Sequence, residues 1–133
     1  MISIEKEVFN DIRTLLKIEF PNCSVANAPL LKEPSFPFVF VDEFDNYTYK
    51  RTVDSRQEEL HSVVSYQIDI YSRDRTDRKA EAKQIAQAID NYFVTKGFNR
   101  KSNAHLYSDD TVTYRITLTY TAIVGADNHI YRR

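Results

Sequence analysis

The chain has one cysteine and two glycines in 133 residues, and each scarcity removes a class of function. Cys23 alone forms no internal disulfide and no cysteine-based zinc site, which fits a reducing compartment such as a bacterial cytoplasm. Phosphate-cradling loops and nucleophile elbows need glycine where backbone must approach a ligand or take positive φ. Gly97 and Gly125 stand isolated, so neither motif is present. The longest apolar run, residues 36–41, contains Pro37 and falls far short of a membrane span. The opening MISIEKEVFNDIR carries charges through its apolar positions and does not read as a signal peptide. With 18 basic and 19 acidic residues the net charge is −1, so no global field draws the chain to nucleic acid or to an anionic membrane. His61, His105 and His129 lie too far apart in sequence to share a metal in the usual ligand spacing. Neither metal nor cofactor is expected.

What is present is an ordinary soluble composition, 42% hydrophobic and 28% charged, in a length that suits one domain over residues 1–133. Ile4, Val8, Ile12, Leu15 and Leu16 recur at helical steps, with Ser3 as the expected N-cap and Pro21 just past the end. A loop with a short strand around Val25 follows. Residues 36–44 read as a strand with Phe36, Phe38 and Phe40 on one face and Val39 and Val41 on the other, which suggests a central position. Asp45 and Asn46 are expected to turn the chain, and residues 47–53 to return as a hairpin strand. Residues 60–72 alternate as a long strand with Tyr66, Ile68 and Ile70 inward and His61, Ser65, Gln67 and Asp69 on a wet face. A second helix over 76–96 buries Ala82, Ile85, Ala86, Ile89 and Phe93, ends at Gly97, and lets Phe98 fold back on Phe93. Residues 99–110 read as polar connection, and 111–124 as the last long strand, with threonines facing away from the core. Ile130 and Tyr131 add a short edge. The expected fold class is α+β: one mostly antiparallel sheet with two helices packed on one face, in the order α-β-β-β-β-α-β.

No catalytic set emerges. The acidic pairs Asp42/Glu43, Glu58/Glu59 and Asp109/Asp110 read as solvated loop charge, and the chain is not expected to be an enzyme. Two segments stand out as contact surfaces. Tyr47, Tyr49, Lys50, Arg51 and Arg56 combine the tyrosine and arginine that protein interfaces favour, on a hairpin that can reach a neighbour. Arg73, Arg75, Arg78 and Lys79 lie in a charged strand-to-helix junction; the plain alternative is a solvated helix start, with Asp77 at the positive end of the dipole and Asp74 paired to Arg78.

The sequences IDIYS at 68–72, IDNYF at 89–93, GFNR at 97–100, Asp109 and YRITLTYTAIVG at 114–125 together resemble the tail terminator, or tail completion, proteins of long-tailed bacteriophages. The resemblance implies a virion protein of the head-proximal tail end, assembled in the host cytoplasm. It implies a hexameric ring of identical subunits that caps the tail tube protein, halts its growth and meets a head-connector protein. DNA would pass through the lumen without specific binding, and no membrane is involved. A ring needs a heterologous interface, one patch meeting a different patch on the next copy. Two other readings share the element order: another head–tail connector or neck adaptor, and a double-stranded RNA-binding-like module. Against the latter stand the net charge and the missing glycine-rich turn before the second helix.

Overall fold

A computed structural model describes residues 2–28, 35–48, 61–73, 77–107 and 113–131. Along the chain these form α1 (Glu5–Glu19), β1 (Ser24–Ala26), β2 (Phe38–Thr48), β3 (His61–Ser72), α2 (Arg78–Lys96), β4 (Asn99–Tyr107), β5 (Tyr114–Gly125) and β6 (Ile130–Tyr131). The fold class is the expected one, α+β with a single mostly antiparallel sheet. Its strand order is β1-β2-β3-β5-β4, with β6 also on β5. Among the described residues only β1 runs parallel to its neighbour, pairing with the first three residues of β2.

Both helices cover one sheet face. Val8, Ile12 and Leu16 of α1 and Ala82, Ile85, Ala86, Ile89 and Phe93 of α2 pack on Val64, Tyr66, Ile68 and Ile70 of β3 and on Ile116, Leu118 and Tyr120 of β5. The centre is aromatic. The Phe93 ring stacks on Tyr120 at 4.2 Å between centroids, and Phe98 meets it edge-on at 4.9 Å. Gly97 makes that return possible. At φ 110° it ends α2 in the left-handed region, its N–H bonds the Phe93 and Val94 carbonyls, and Phe98 N–H bonds Phe93 O at 2.9 Å. The polar ends of the buried tyrosines are held: Tyr120 donates to Asp90 and Tyr66 to Glu43. Across the helix pair, Tyr92 donates to Asp11 at 2.7 Å, and Lys96 bridges Glu7 at 3.1 Å and Asp11 at 3.4 Å.

Four local expectations are corrected. Ser3 does not cap α1; Ile4 holds the N-cap position with no side-chain bond, while Val8 N–H bonds its carbonyl. Asp45 and Asn46 do not turn the chain. They lie within β2, paired with Ser65 and Val64, because Phe44 forms a bulge between Glu43 and Asp45. A bulge shifts alternation by one residue. Inward positions are therefore Val39, Val41 and Glu43 before it and Asn46 after it, where Asn46 donates to Ile2 O at 2.8 Å and accepts from Ser62 Oγ. This explains why a serine interrupts the inward row of β3. The segment 99–107, read as polar connection, is the edge strand β4. Finally, Asp42 and Glu43 belong to β2 and not to a solvated loop. The pairs at 58–59 and 109–110 lie outside the described residues.

Candidate assembly surfaces

Among the described residues two surfaces of the sheet lack the helical layer: its outer edges and its second face. The edges are unlike. On one side β1 covers β2 only at Phe38–Phe40, so among the described residues 41–48 of β2 have no outer neighbour. This segment, VDEFDNYT, is acidic and carries two exposed aromatics, Phe44 at 52% and Tyr47 at 53%. On the other side β4 presents NRKSNAHLY, with Arg100 and Lys101 exposed. Arg100 reaches Asp90 at 3.2 Å and keeps about half its side chain in solvent.

Glu43 differs from its acidic neighbours. It sits on the helix-covered side, accepts from Tyr66 at 3.2 Å, and its carboxyl is pushed up to about 7 by burial, with Glu5 and Asp42 adding repulsion. The cause is packing, and the carboxyl serves the core. Cys23 is half-buried, and that burial, with Glu81 nearby, pushes its thiol up to about 12. The histidines fall at the start of β3, on β4 and just before β6. Among the described residues no three His, Cys, Asp or Glu gather closely enough to hold a metal ion. No described helix is long and apolar enough to cross a membrane.

The second sheet face carries a polar cluster that sequence reading missed. Asp69, expected on a wet face, is 6% exposed. Its Oδ1 accepts from Arg115 Nε at 3.1 Å, Arg115 Nη2 at 2.8 Å and Thr117 Oγ1 at 2.7 Å, and its Oδ2 accepts from Gln67 at 3.1 Å. Burying a carboxylate is tolerated here because both oxygens are engaged and one partner is cationic. The signal in sequence was a single acid in the alternating run YQIDIYS; the arginine that neutralises it lies on β5, which only the register reveals.

The described candidate contact residues divide between two ends of the sheet. Tyr47 lies on β2 opposite Val63, near the start of β3. Arg73 follows the last residue of β3, which puts it roughly 30 Å away along the strand at ~3.3 Å per residue. Arg73 is half-buried: its Nε donates to Thr113 Oγ1 at 2.7 Å and its guanidinium lies 4.1 Å from the Phe36 ring centroid. Arg78 and Lys79 open α2 behind Asp77, whose side chain caps the helix by accepting from Ala80 N at 3.0 Å. Lys79 is exposed and Arg78 half-buried. Tyr49, Lys50, Arg51, Arg56, Asp74 and Arg75 lie outside the described residues.

Residues 31–125 match the model of a protein family described as tail completion protein gp17. The match runs through β2, β3, α2, β4 and β5, the whole sheet but its two short strands. A search of curated proteins finds no match. Since the family model covers well over half of the chain, including every long strand and the helix that roofs them, this chain belongs to the bacteriophage tail completion protein family, a family of structural tail proteins.

Proposed function

We propose that the chain is the subunit of a ring, six copies in a closed circle, that caps the finished tail tube, ends its elongation and offers the surface to which the head joins. The family match over residues 31–125 carries this reading. The geometry supports it. Among the described residues the sheet has an acidic edge and a basic edge without outer neighbours, the two different patches that a heterologous interface needs. The described contact residues then belong to two rims: Tyr47 on one, and Arg73, Arg78 and Lys79 on the other. One rim meets the tube protein and the other the head connector. The net charge of −1 suits a conduit through which DNA slides without specific binding.

Native mass spectrometry with negative-stain imaging tests the ring, with the protein alone and with tail tubes added. Closed circular oligomers are expected. A phage lacking this chain should make tails of abnormal length that fail to join capsids; normal tails joined to capsids would remove the proposal. Replacing Arg75, Arg78 and Lys79 together with alanine should leave the fold intact and weaken attachment.

A further inference from the structure

The acidic run of β2 and the basic pair of β4 lie at one level of the sheet. Asp45 pairs with Ser65, Ser65 with Thr121, and Thr121 with Asn99. Glu43 leads in the same way through Tyr66 and Tyr120 to Arg100, and Asp42 through Gln67 and Thr119 to Ser102. Both edges break their ladders at this level: Phe44 is the extra residue of β2, and Lys101 that of β4. Directions match as well. The pairs β2/β3, β3/β5 and β5/β4 are all antiparallel, so β2 and β4 run in opposite senses. A second copy rotated about an axis along the strands thus brings its β2 beside the first copy's β4 as an antiparallel neighbour, with no shift along the axis. Rotation without translation is the operation that closes a ring.

We propose that residues 41–48 of one copy dock along β4 of the next, bringing the level of Asp42, Glu43 and Asp45 beside that of Arg100 and Lys101. This rests on the ring reading above and names the surface that builds the ring. Charge selects the partner edge. Two β2 edges bring acid to acid and two β4 edges bring base to base, so isologous pairs are repelled while the unlike pair is drawn together. Bulged, charged edges resist indiscriminate strand addition; the complementary edge of the same chain is the one whose charge offsets theirs. Phe44, exposed beside the acids, supplies the aromatic area that interface cores favour.

The test is charge reversal in the full chain, read by native mass spectrometry, with circular dichroism confirming the fold. Asp45→Lys and Lys101→Glu should each reduce the ring population at least about tenfold, the change that 1.4 kcal/mol produces. Both changes in one chain reverse the interface and should restore rings. A second measurement replaces Asp42 and Ser102, which stand at one level, with cysteine in a Cys23→Ser background and oxidises the assembly; a ladder of cross-linked oligomers on a non-reducing gel is expected. If wild-type chains form rings, both single reversals form them equally well and no ladder appears, the edge assignment is wrong and the ring reading survives. If wild-type chains stay monomeric even on tail tubes, both fall. If the double reversal fails to restore rings, the ladder decides: its presence upholds the assignment and its absence overturns it.

Discussion

β3 and β4 flank the same strand, β5, and share its hydrogen-bond ladder, yet they are strands for different reasons. In β3 the residues themselves dictate the outcome: Val64, Tyr66, Ile68 and Ile70 must reach the helices, and only an extended chain aims them all one way. In β4 the inward positions at this level are Arg100, Asn103 and His105, none of which needs burial. Its backbone is extended because β5 offers unpaired groups beside it and Gly97–Phe98 delivers the chain there. Interior strands are thus specified by side chains, and this edge by its neighbour, which leaves Lys101, Ser102 and Asn103 exposed on it while Arg100 bridges Asp90 and His105 bonds the Tyr114 hydroxyl.

The hardest blow to the interior should come from Phe93→Ala. Phe93 is fully buried and touches the rings of Tyr66, Phe98 and Tyr120. Its truncation should cost about 3–5 kcal/mol, seen as a fall in denaturation midpoint; a loss below about 1 kcal/mol would show that the cluster repacks freely. Asp69→Ala comes next, since it strips Arg115, Thr117 and Gln67 of their acceptor. A loss of about 1.5–3 kcal/mol in urea titration is expected, the range for hydrogen bonds to a charged group. A neutral result would place the second sheet face with the edges.

Glu43 straddles the two regions, on an edge strand but turned inward, and its effect is smaller and depends on pH. Its folded-state carboxyl is raised to about 7 by burial, above the ordinary carboxylate value. The folded chain therefore binds more protons than the unfolded chain between pH ~4.5 and ~7, and stability falls as pH rises through that window. Melting temperature should be higher at pH 5 than at pH 8. Glu43→Gln should flatten that slope and raise the melting temperature at pH 8; an unchanged slope would mean that Glu43 is solvated.

The contrast also explains what the sequence revealed. The helical stripe Val8–Ile12–Leu16, the alternation of β3 and β5, and the Gly97–Phe98 return on Phe93 were all legible, because burial imposes a period and a cap imposes a residue. β4 was not, since pairing without burial leaves no period. Neither was the bulge at Phe44: one inserted residue exchanges the faces of everything after it, which turned Asp45 and Asn46 from a plausible turn into strand. At the candidate surfaces the charges of Asp42, Asp45, Arg100 and Lys101 were visible one by one. Their common level emerges only after three registers are laid side by side. The family was legible from framework residues of the interior, the part of the chain that says least about contacts.

Lys101→Ala gives the smallest effect on the fold. The side chain is exposed on the bulge of an edge strand, and surface changes of this kind stay within about 0.5 kcal/mol. Denaturation of the monomer should therefore be indistinguishable from wild type. Assembly should not be: neutralising one member of a level charge set lowers the attraction between unlike edges, and the remaining attraction should weaken as salt rises. The informative measurement is both quantities on the same preparation. Unaltered stability with a reduced ring population that falls further between low and high salt assigns Lys101 to the contact between copies. Loss of stability without loss of rings would return β4 to the interior, as a strand whose side chains serve the fold.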